Sequence, residues 1–143
     1  MRLSLHTDYA LRSLIYLASM REEATTAAAI AASYRISKNH LVKVIQRLRD
    51  LGYVDTARGR GGGVRLARDP AQIRLGEVVR RTEDLDEMVE CFNPETNTCP
   101  ISQACLLPRR LNEALQAYLA VLDRYTVADV STNRVQLAAV LGH

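Results

Sequence analysis

Cys91, Cys99 and Cys105 are the only thiols in the chain, and all three fall within one fifteen-residue stretch. An odd number of thiols cannot pair off completely, so a metal or redox site is the first chemistry they suggest. The spacing Cys-x7-Cys-x5-Cys lacks the close pairs usual in structural zinc sites, and no histidine follows before His143, which makes zinc a secondary reading. Thiolates also ligate iron–sulfur clusters. There a wide loop spacing is tolerated, and a non-cysteine fourth ligand leaves one iron easier to attack. Service as plain core residues fits poorly with Asn93, Pro94, Asn97, Thr98 and Pro100, which argue against regular structure from Phe92 to Pro100.

A second chemistry lies in the cations. The net charge is only +3, but Met1 to Thr82 carries fifteen Lys and Arg against seven Asp and Glu, whereas Glu83 to His143 carries four against nine. Seventeen of the nineteen cations are arginine, whose planar fork grips phosphates and guanine edges through paired hydrogen bonds. The basic half therefore suits nucleic acid, with a solvated surface as the plainer alternative. No Ser-His-Asp arrangement, paired metal histidines or phosphate loop is present, so no enzyme is expected.

The elements that must position these groups read as mainly α with a small β-hairpin wing: a winged helix-turn-helix followed by a long C-terminal dimerisation helix. Helical periodicity runs from Thr7, taken as N-cap, to Met20, with Leu11, Leu14, Ile15 and Ala18 on one face. Thr25 or Thr26 caps a short helix through Tyr34, Arg35 and Ile36 make the turn, and Ser37 caps a third helix ended by Gly52. Leu41, Val44, Ile45 and Leu48 form its buried stripe. Ser37, Lys38, Asn39, His40 and Lys43 lie toward its exposed N-terminal end, where a recognition helix meets base edges and phosphates. Tyr53 to Ala57 and Val64 to Leu66 then flank the glycine-rich tip Arg58-Gly59-Arg60-Gly61-Gly62-Gly63. This is a wing in which Arg58, Arg60 and Arg65 can reach phosphates or a narrow minor groove. A phosphate loop is disfavoured because no Lys-Ser or Lys-Thr closes the glycine run.

Beyond Pro70, Ile73 to Leu75 reads as a short strand and Gly76 to Arg81 as a short helix. Leu111, Leu115, Tyr118, Leu122 and Tyr125 then recur at coiled-coil spacing on a helix from Pro108 to Tyr125, which favours pairing with a second copy. A last helix spans Asn133 to Leu141. The divisions are 1–82 for the DNA-binding domain, 83–107 for the ligand loop and 108–143 for the dimerisation helix and C-terminal segment. At 143 residues, 48% hydrophobic and 24% charged, the chain has the balance of one folded domain. It shows neither a bilayer-spanning run nor a secretory start, so a cytoplasmic location without membrane contact is expected.

The chain resembles the cluster-binding winged-helix regulators that include IscR, NsrR and RirA, and within them the nitric-oxide-sensing NsrR repressors. The resemblance spans nearly the whole chain. It rests on Met1-Arg2-Leu3, Thr7-Asp8-Tyr9-Ala10-Leu11-Arg12, Ser37 to Lys43, Gly52-Tyr53-Val54, Arg58 to Leu66, the three cysteines and Leu122-Asp123-Arg124-Tyr125-Thr126. It implies a homodimeric repressor on a double-stranded inverted-repeat operator, with nitric oxide as signal. It also implies a 4Fe-4S cluster, or alternatively a 2Fe-2S cluster, held by Cys91, Cys99 and Cys105 of one subunit and by Asp8 of the partner subunit. Arg12, four residues after Asp8, would orient that carboxylate or form a simple surface ion pair. The long Cys91–Cys99 gap is similar to that of the iron-responsive RirA group, which keeps iron or redox sensing open as the alternative signal. Leu106-Leu107-Pro108 after Cys105 lacks the histidine of the IscR branch.

Overall fold

The computed structural model describes residues 2–20 and 23–142; Met1 of the first motif and His143 lie outside them. Six α-helices and one hairpin follow in order: α1 Leu5–Met20, α2 Ala27–Tyr34, α3 Lys38–Asp50, β1 Val54–Ala57, β2 Gly63–Leu66, α4 Leu75–Thr82, α5 Leu107–Leu122 and α6 Arg134–Leu141. None of the described helices is long and apolar enough to cross a membrane.

The central element is α1, which is buried on most of its circumference rather than along one stripe. Ala10, Leu14 and Leu17 meet Ile30 of α2, Leu41, Val44 and Leu48 of α3, Val54 and Val64 of the hairpin and Val78 of α4. Each fully buried Leu contributes about 1.5–3 kcal/mol of apolar burial, which is why the small residues Ala10, Ser13 and Ala18 are needed where neighbours crowd in. Helix α1 begins earlier than its periodicity suggests. The Ser4 hydroxyl, not Thr7, accepts from the backbone at the first turn (Thr7 N–H, 3.2 Å), while Thr7 is wholly buried with its own hydroxyl 3.2 Å from that of Ser4.

The helix-turn-helix has the expected boundaries. Thr26 accepts the Ala29 N–H at 3.0 Å, and Ser37 accepts the His40 N–H at 3.4 Å. Between them Arg35 sits in the left-handed region at φ 54°, its N–H bonded back to α2 carbonyls. A non-glycine residue there costs about 1–2 kcal/mol, partly recovered against glycine by the lower entropy of the unfolded chain. Arg35→Gly is therefore expected to leave stability unchanged or raise it by up to about 1 kcal/mol. The urea midpoint at constant m-value measures this, and a fall in midpoint would show that the arginine side chain supports the fold.

Three expectations in the second half need correction. Ile73 to Leu75 is not a strand: Arg74 forms a single antiparallel bridge with Thr126, and Leu75 already opens α4. Helix α5 stops at Leu122, so Tyr125 falls outside it in a turn and is 46% exposed. Part of the expected coiled-coil seam is spent within the chain. Leu115 and Leu119 are buried with Val79 and pack against Leu3, Leu11, Leu85, Met88, Phe92, Tyr118 and Leu122. The opposite face of α5 leaves Leu107, Ala114, Ala117 and Val121 exposed.

The last segment folds back on the first half. Val127 belongs to the main core, Leu141 packs against it, Arg134 donates to the Ser19 carbonyl at 3.2 Å, and Ser33 donates to the Leu141 carbonyl at 3.0 Å. The segment, opaque in the sequence, thus packs against α1 and α2.

Candidate nucleic-acid interface and ligand loop

The buried stripe of α3 fixes which of its side chains face outward. Ser37, Lys38, Asn39, Lys43, Gln46 and Arg47 are exposed, so the expected reading surface is physically available. Ser37 spends its hydroxyl on the helix cap. His40 is half-buried, with its ring edge-on to Tyr9 of α1 at 4.9 Å and 63°, so it ties the start of α3 to α1 as well as fronting the surface.

Burial is the first cause that lowers the His6 pKa from 6.5, with positive charge from His40 and Arg47 adding to it and Glu83 opposing it. The folded chain thus binds this proton less readily than the unfolded chain. The stabilisation is whole above pH 6.5 and is lost as pH falls toward the lowered value. His6→Gln is expected to flatten the loss of stability in that acid window, measured as the difference in unfolding free energy between pH 7 and pH 5. An unchanged slope would assign that loss to other groups.

The hairpin is not a free flap. Val64 and Thr25 exchange backbone hydrogen bonds of 2.6 and 3.1 Å, so β2 is pinned to the loop before α2 as well as to β1. Val54, Asp55, Thr56 and Ala57 pair in register with Leu66, Arg65, Val64 and Gly63. Arg58, Arg60 and Arg65 all project from this pinned hairpin and are exposed. Arg60→Ala is expected to weaken binding to DNA of every sequence and to lower the magnitude of the log K against log salt slope by about 1. Filter-binding or anisotropy titrations at several salt concentrations check this, and loss of discrimination at a single base pair would instead make Arg60 a base reader.

Behind the wing lies a group of side chains that residue-type reasoning missed. Tyr53, fully buried, donates its hydroxyl to Glu77 Oε1 at 2.9 Å, and the guanidiniums of Arg68 and Arg81 sit 4.6 and 5.7 Å from its ring centroid. Glu77 also pairs with Arg81 at 3.3 Å and Arg68 at 3.5 Å, while the Arg81 carbonyl accepts from Arg47 of α3 at 3.0 Å. The signal was there in Gly52-Tyr53-Val54, a buried tyrosine needing a partner for its hydroxyl. Its partner, 24 positions on, was not visible.

The three cysteines are free and partly exposed between α4 and α5, Cys91 within the single 3-10 turn Glu90–Phe92 and Cys99 and Cys105 on irregular backbone. The loop has its own scaffold. Glu90 Oε1 accepts from both the Thr98 N–H (2.5 Å) and the Thr98 hydroxyl (2.6 Å), which holds the Glu90 carboxyl below its ordinary pKa. Asn97 Oδ1 accepts the Cys99 N–H at 3.0 Å, and the Cys105 N–H bonds to the Ile101 carbonyl at 2.9 Å. Among the described residues no three His, Cys, Asp or Glu side chains converge as a ready-made metal cage within the single chain. The donor chemistry still fits a thiolate-held cluster: three unpaired, accessible sulfurs, with no disulfide or apolar core competing for them.

Asp8 and Arg12 of α1 are brought together as their spacing implied. Both carboxylate oxygens are engaged, Oδ2 at 2.7 Å and Oδ1 at 3.1 Å from the guanidinium. Arg12 is itself framed by the rings of Tyr9 (5.8 Å) and Tyr34 (5.9 Å), and its carbonyl accepts the Tyr34 hydroxyl at 3.0 Å. Burial pushes the Tyr34 phenol up to about 12, so it stays a donor. The oriented carboxylate keeps an exposed edge, the side chain being 34% accessible.

The sequence pattern of Rrf2, described as an iron-dependent transcriptional regulator, matches residues 3–133. The chain belongs to the Rrf2 family. The HTH-type transcriptional regulator NsrR of Bacillus subtilis is 55% identical over 142 residues, 99% of this chain and 97% of that protein. The protein of the same name from Shouchella clausii is 51% identical, covering 99% and 95%. Among solved structures, CymR, the global cysteine regulator of B. subtilis, superposes with a TM-score of 0.69 at 27% identity, covering 93% of this chain and 98% of that one. IscR of T. potens gives a TM-score of 0.74 at 25% identity, covering 93% and 88%. The winged-helix fold is thus that of Rrf2 transcriptional regulators, and these relatives are regulators rather than enzymes.

Proposed function

We propose that this Rrf2 chain is an iron–sulfur cluster-dependent repressor that binds DNA as a homodimer in the cytoplasm and senses nitric oxide. The observation that carries the reading is the set of three free, partly exposed thiols on one scaffolded loop, in a chain 55% identical to a regulator named NsrR. Cys91, Cys99 and Cys105 would hold a 4Fe-4S cluster, with Asp8 of the partner subunit as the fourth ligand and Arg12 orienting the carboxylate. When bound, such a cluster supplies iron to which nitric oxide, small and neutral, attaches directly.

This chain's own residues do the rest. Lys38, Asn39 and Lys43 of α3 face base edges, with His40 and the capped Ser37 at the helix start. Arg58, Arg60 and Arg65 of the pinned wing face phosphates. The exposed face of α5, with Leu107, Ala114, Ala117 and Val121, is the surface on which a second copy would pair. A ligand loop of one chain tied to α1 of the other fixes the distance between the two α3 helices, and so the match to an inverted repeat.

The long Cys91–Cys99 gap and the iron-dependent character of the family sustain one second reading, in which iron supply or redox state is the signal. Anaerobically purified protein on operator DNA, titrated with nitric oxide and separately with an iron chelator, separates them. Release at near-stoichiometric nitric oxide with slow response to chelator supports the first; the reverse order supports the second.

A further inference from the structure

The motif Leu122-Asp123-Arg124-Tyr125-Thr126 lies outside the proposed reading surface and thiol loop, yet it makes several close polar contacts with the segment around α4. Asp123 follows directly on the last residue of α5, where a carboxylate is the wrong charge for the helix dipole and its placement calls for a compensating cation. Arg80 of α4 forks both its oxygens, at 2.6 Å to Oδ1 and 2.7 Å to Oδ2. Arg74, just ahead of α4, donates to the Asp123 carbonyl at 2.7 Å. The carboxylate lies so close over Gly76 that a Cβ there would overlap Oδ1. The Leu75 N–H bonds to the Tyr125 carbonyl at 3.0 Å and the Val127 N–H to the Ile73 carbonyl at 2.9 Å, either side of the Arg74–Thr126 bridge.

Topology gives this contact its leverage. The cysteine loop leaves the C-terminal end of α4 and re-enters at the N-terminal end of α5, so the relative placement of these two helices holds the two ends of the loop. Helix α4 is also packed on α1, through Val78 in the main core, and linked to α3 and the wing through Arg81, Glu77 and Tyr53. We propose that Asp123, seated on Gly76 and forked by Arg80, is a positioning residue that locks α5 to α4 and thereby couples the state of the ligand loop to the DNA-reading head. The inference rests on the cluster-dependent reading above. Both partners are individually half exposed, so the pair adds little to overall stability. What it fixes is the placement of α5 on α4.

The test compares the parent chain with Asp123→Asn, which keeps the size but removes the charge, and Gly76→Ala, which keeps the charge but fills the seat. Glu113→Gln, in the exposed Arg110–Glu113 pair within α5, is the control. Two quantities are read: the ratio of operator affinities of cluster-loaded and cluster-free protein, and the rate at which a thiol reagent labels the three cysteines in cluster-free protein. The parent ratio is expected to be about tenfold or more, and both latch variants should bring it within about twofold while the control leaves it alone. Thiol labelling should quicken by roughly fivefold in both variants, as the loop is freed.

Equal weakening of both cluster states, or an unchanged ratio, would overturn the coupling role. If the parent carries no cluster, the proposed function fails, and the labelling rates alone still judge the latch: rates equal to the parent's overturn it. Should Gly76→Ala fail to fold, the isosteric Asp123→Asn decides.

Discussion

Cys99→Ala should yield a folded, colourless protein whose grip on its operator falls by about 100-fold or more, toward the level of non-specific binding. The physical basis is local. The Cys99 side chain is partly exposed, and its backbone N–H, not its sulfur, donates the hydrogen bond to Asn97 Oδ1. Truncation therefore costs the fold no more than about 0.5 kcal/mol, whereas it removes one of three sulfurs that could share a cluster. Circular dichroism and thermal unfolding should match the parent while the absorption of the anaerobic protein above the aromatic region disappears. Cluster-dependent operator binding retained by this variant would refute the ligand assignment.

The second large effect is expected at the wing. Gly63 has φ 140°, and a Cβ there would stand 2.5 Å from the Thr25 carbonyl oxygen and 3.2 Å from Ala24 Cβ. The oxygen is the acceptor of the 2.6 Å bond from Val64, so Gly63→Ala must break the contact that pins β2 to the loop before α2. Strain and the loss of two backbone hydrogen bonds together cost about 2–4 kcal/mol. The substitution should lower the urea midpoint accordingly and, with Arg58, Arg60 and Arg65 no longer held in place, weaken DNA binding further than Arg60→Ala does alone. Gly61 sits at the same tip with nothing within 4 Å of its Cβ position, and its φ of 74° makes Gly61→Ala strained but free of collision. The smaller effect expected there separates loss of the seat from loss of tip flexibility. Equal damage from both substitutions would mean that the pinned geometry of β2 is unimportant.

Much of the reading head was legible because its determinants are local. A threonine and a serine three positions before the N–H groups they cap, a helical stripe from Leu41 to Leu48 and a glycine-rich tip between alternating residues all act over a few positions, and the structure places them as their spacing implies. The misreadings arise where a distant partner decides. Leu75 joins α4 because Arg74 is taken up by Thr126, fifty-two positions on; Leu115 turns inward because Val79 and the N-terminal Leu3 are there to meet it. Thr7 looked like a cap by type, but Ser4 performs that role once Glu83 takes the Ser4 N–H and hydroxyl, each at 3.0 Å.

The site divides in the same way. Asp8 and Arg12 sit one helical turn apart, so their pairing could be read directly. The Tyr53–Glu77 hydrogen bond and the Asp123–Arg80 clamp join residues 24 and 43 positions apart, and no periodicity announces them. The cysteine spacing gave the donor chemistry, and the fold adds what spacing could not: a loop braced by Glu90 and Thr98, suspended between the two helices that connect it to the reading head.

The central claim is that a cluster on Cys91, Cys99 and Cys105 governs the hold on DNA. Operator affinity measured side by side, on oxygen-protected protein and on the same preparation stripped of iron, tests it most directly. The oxygen-protected protein should be brown, contain iron and sulfide, bind tightly and lose that binding when stripped; a colourless, iron-free chain that binds its operator equally well would contradict a cluster-governed hold.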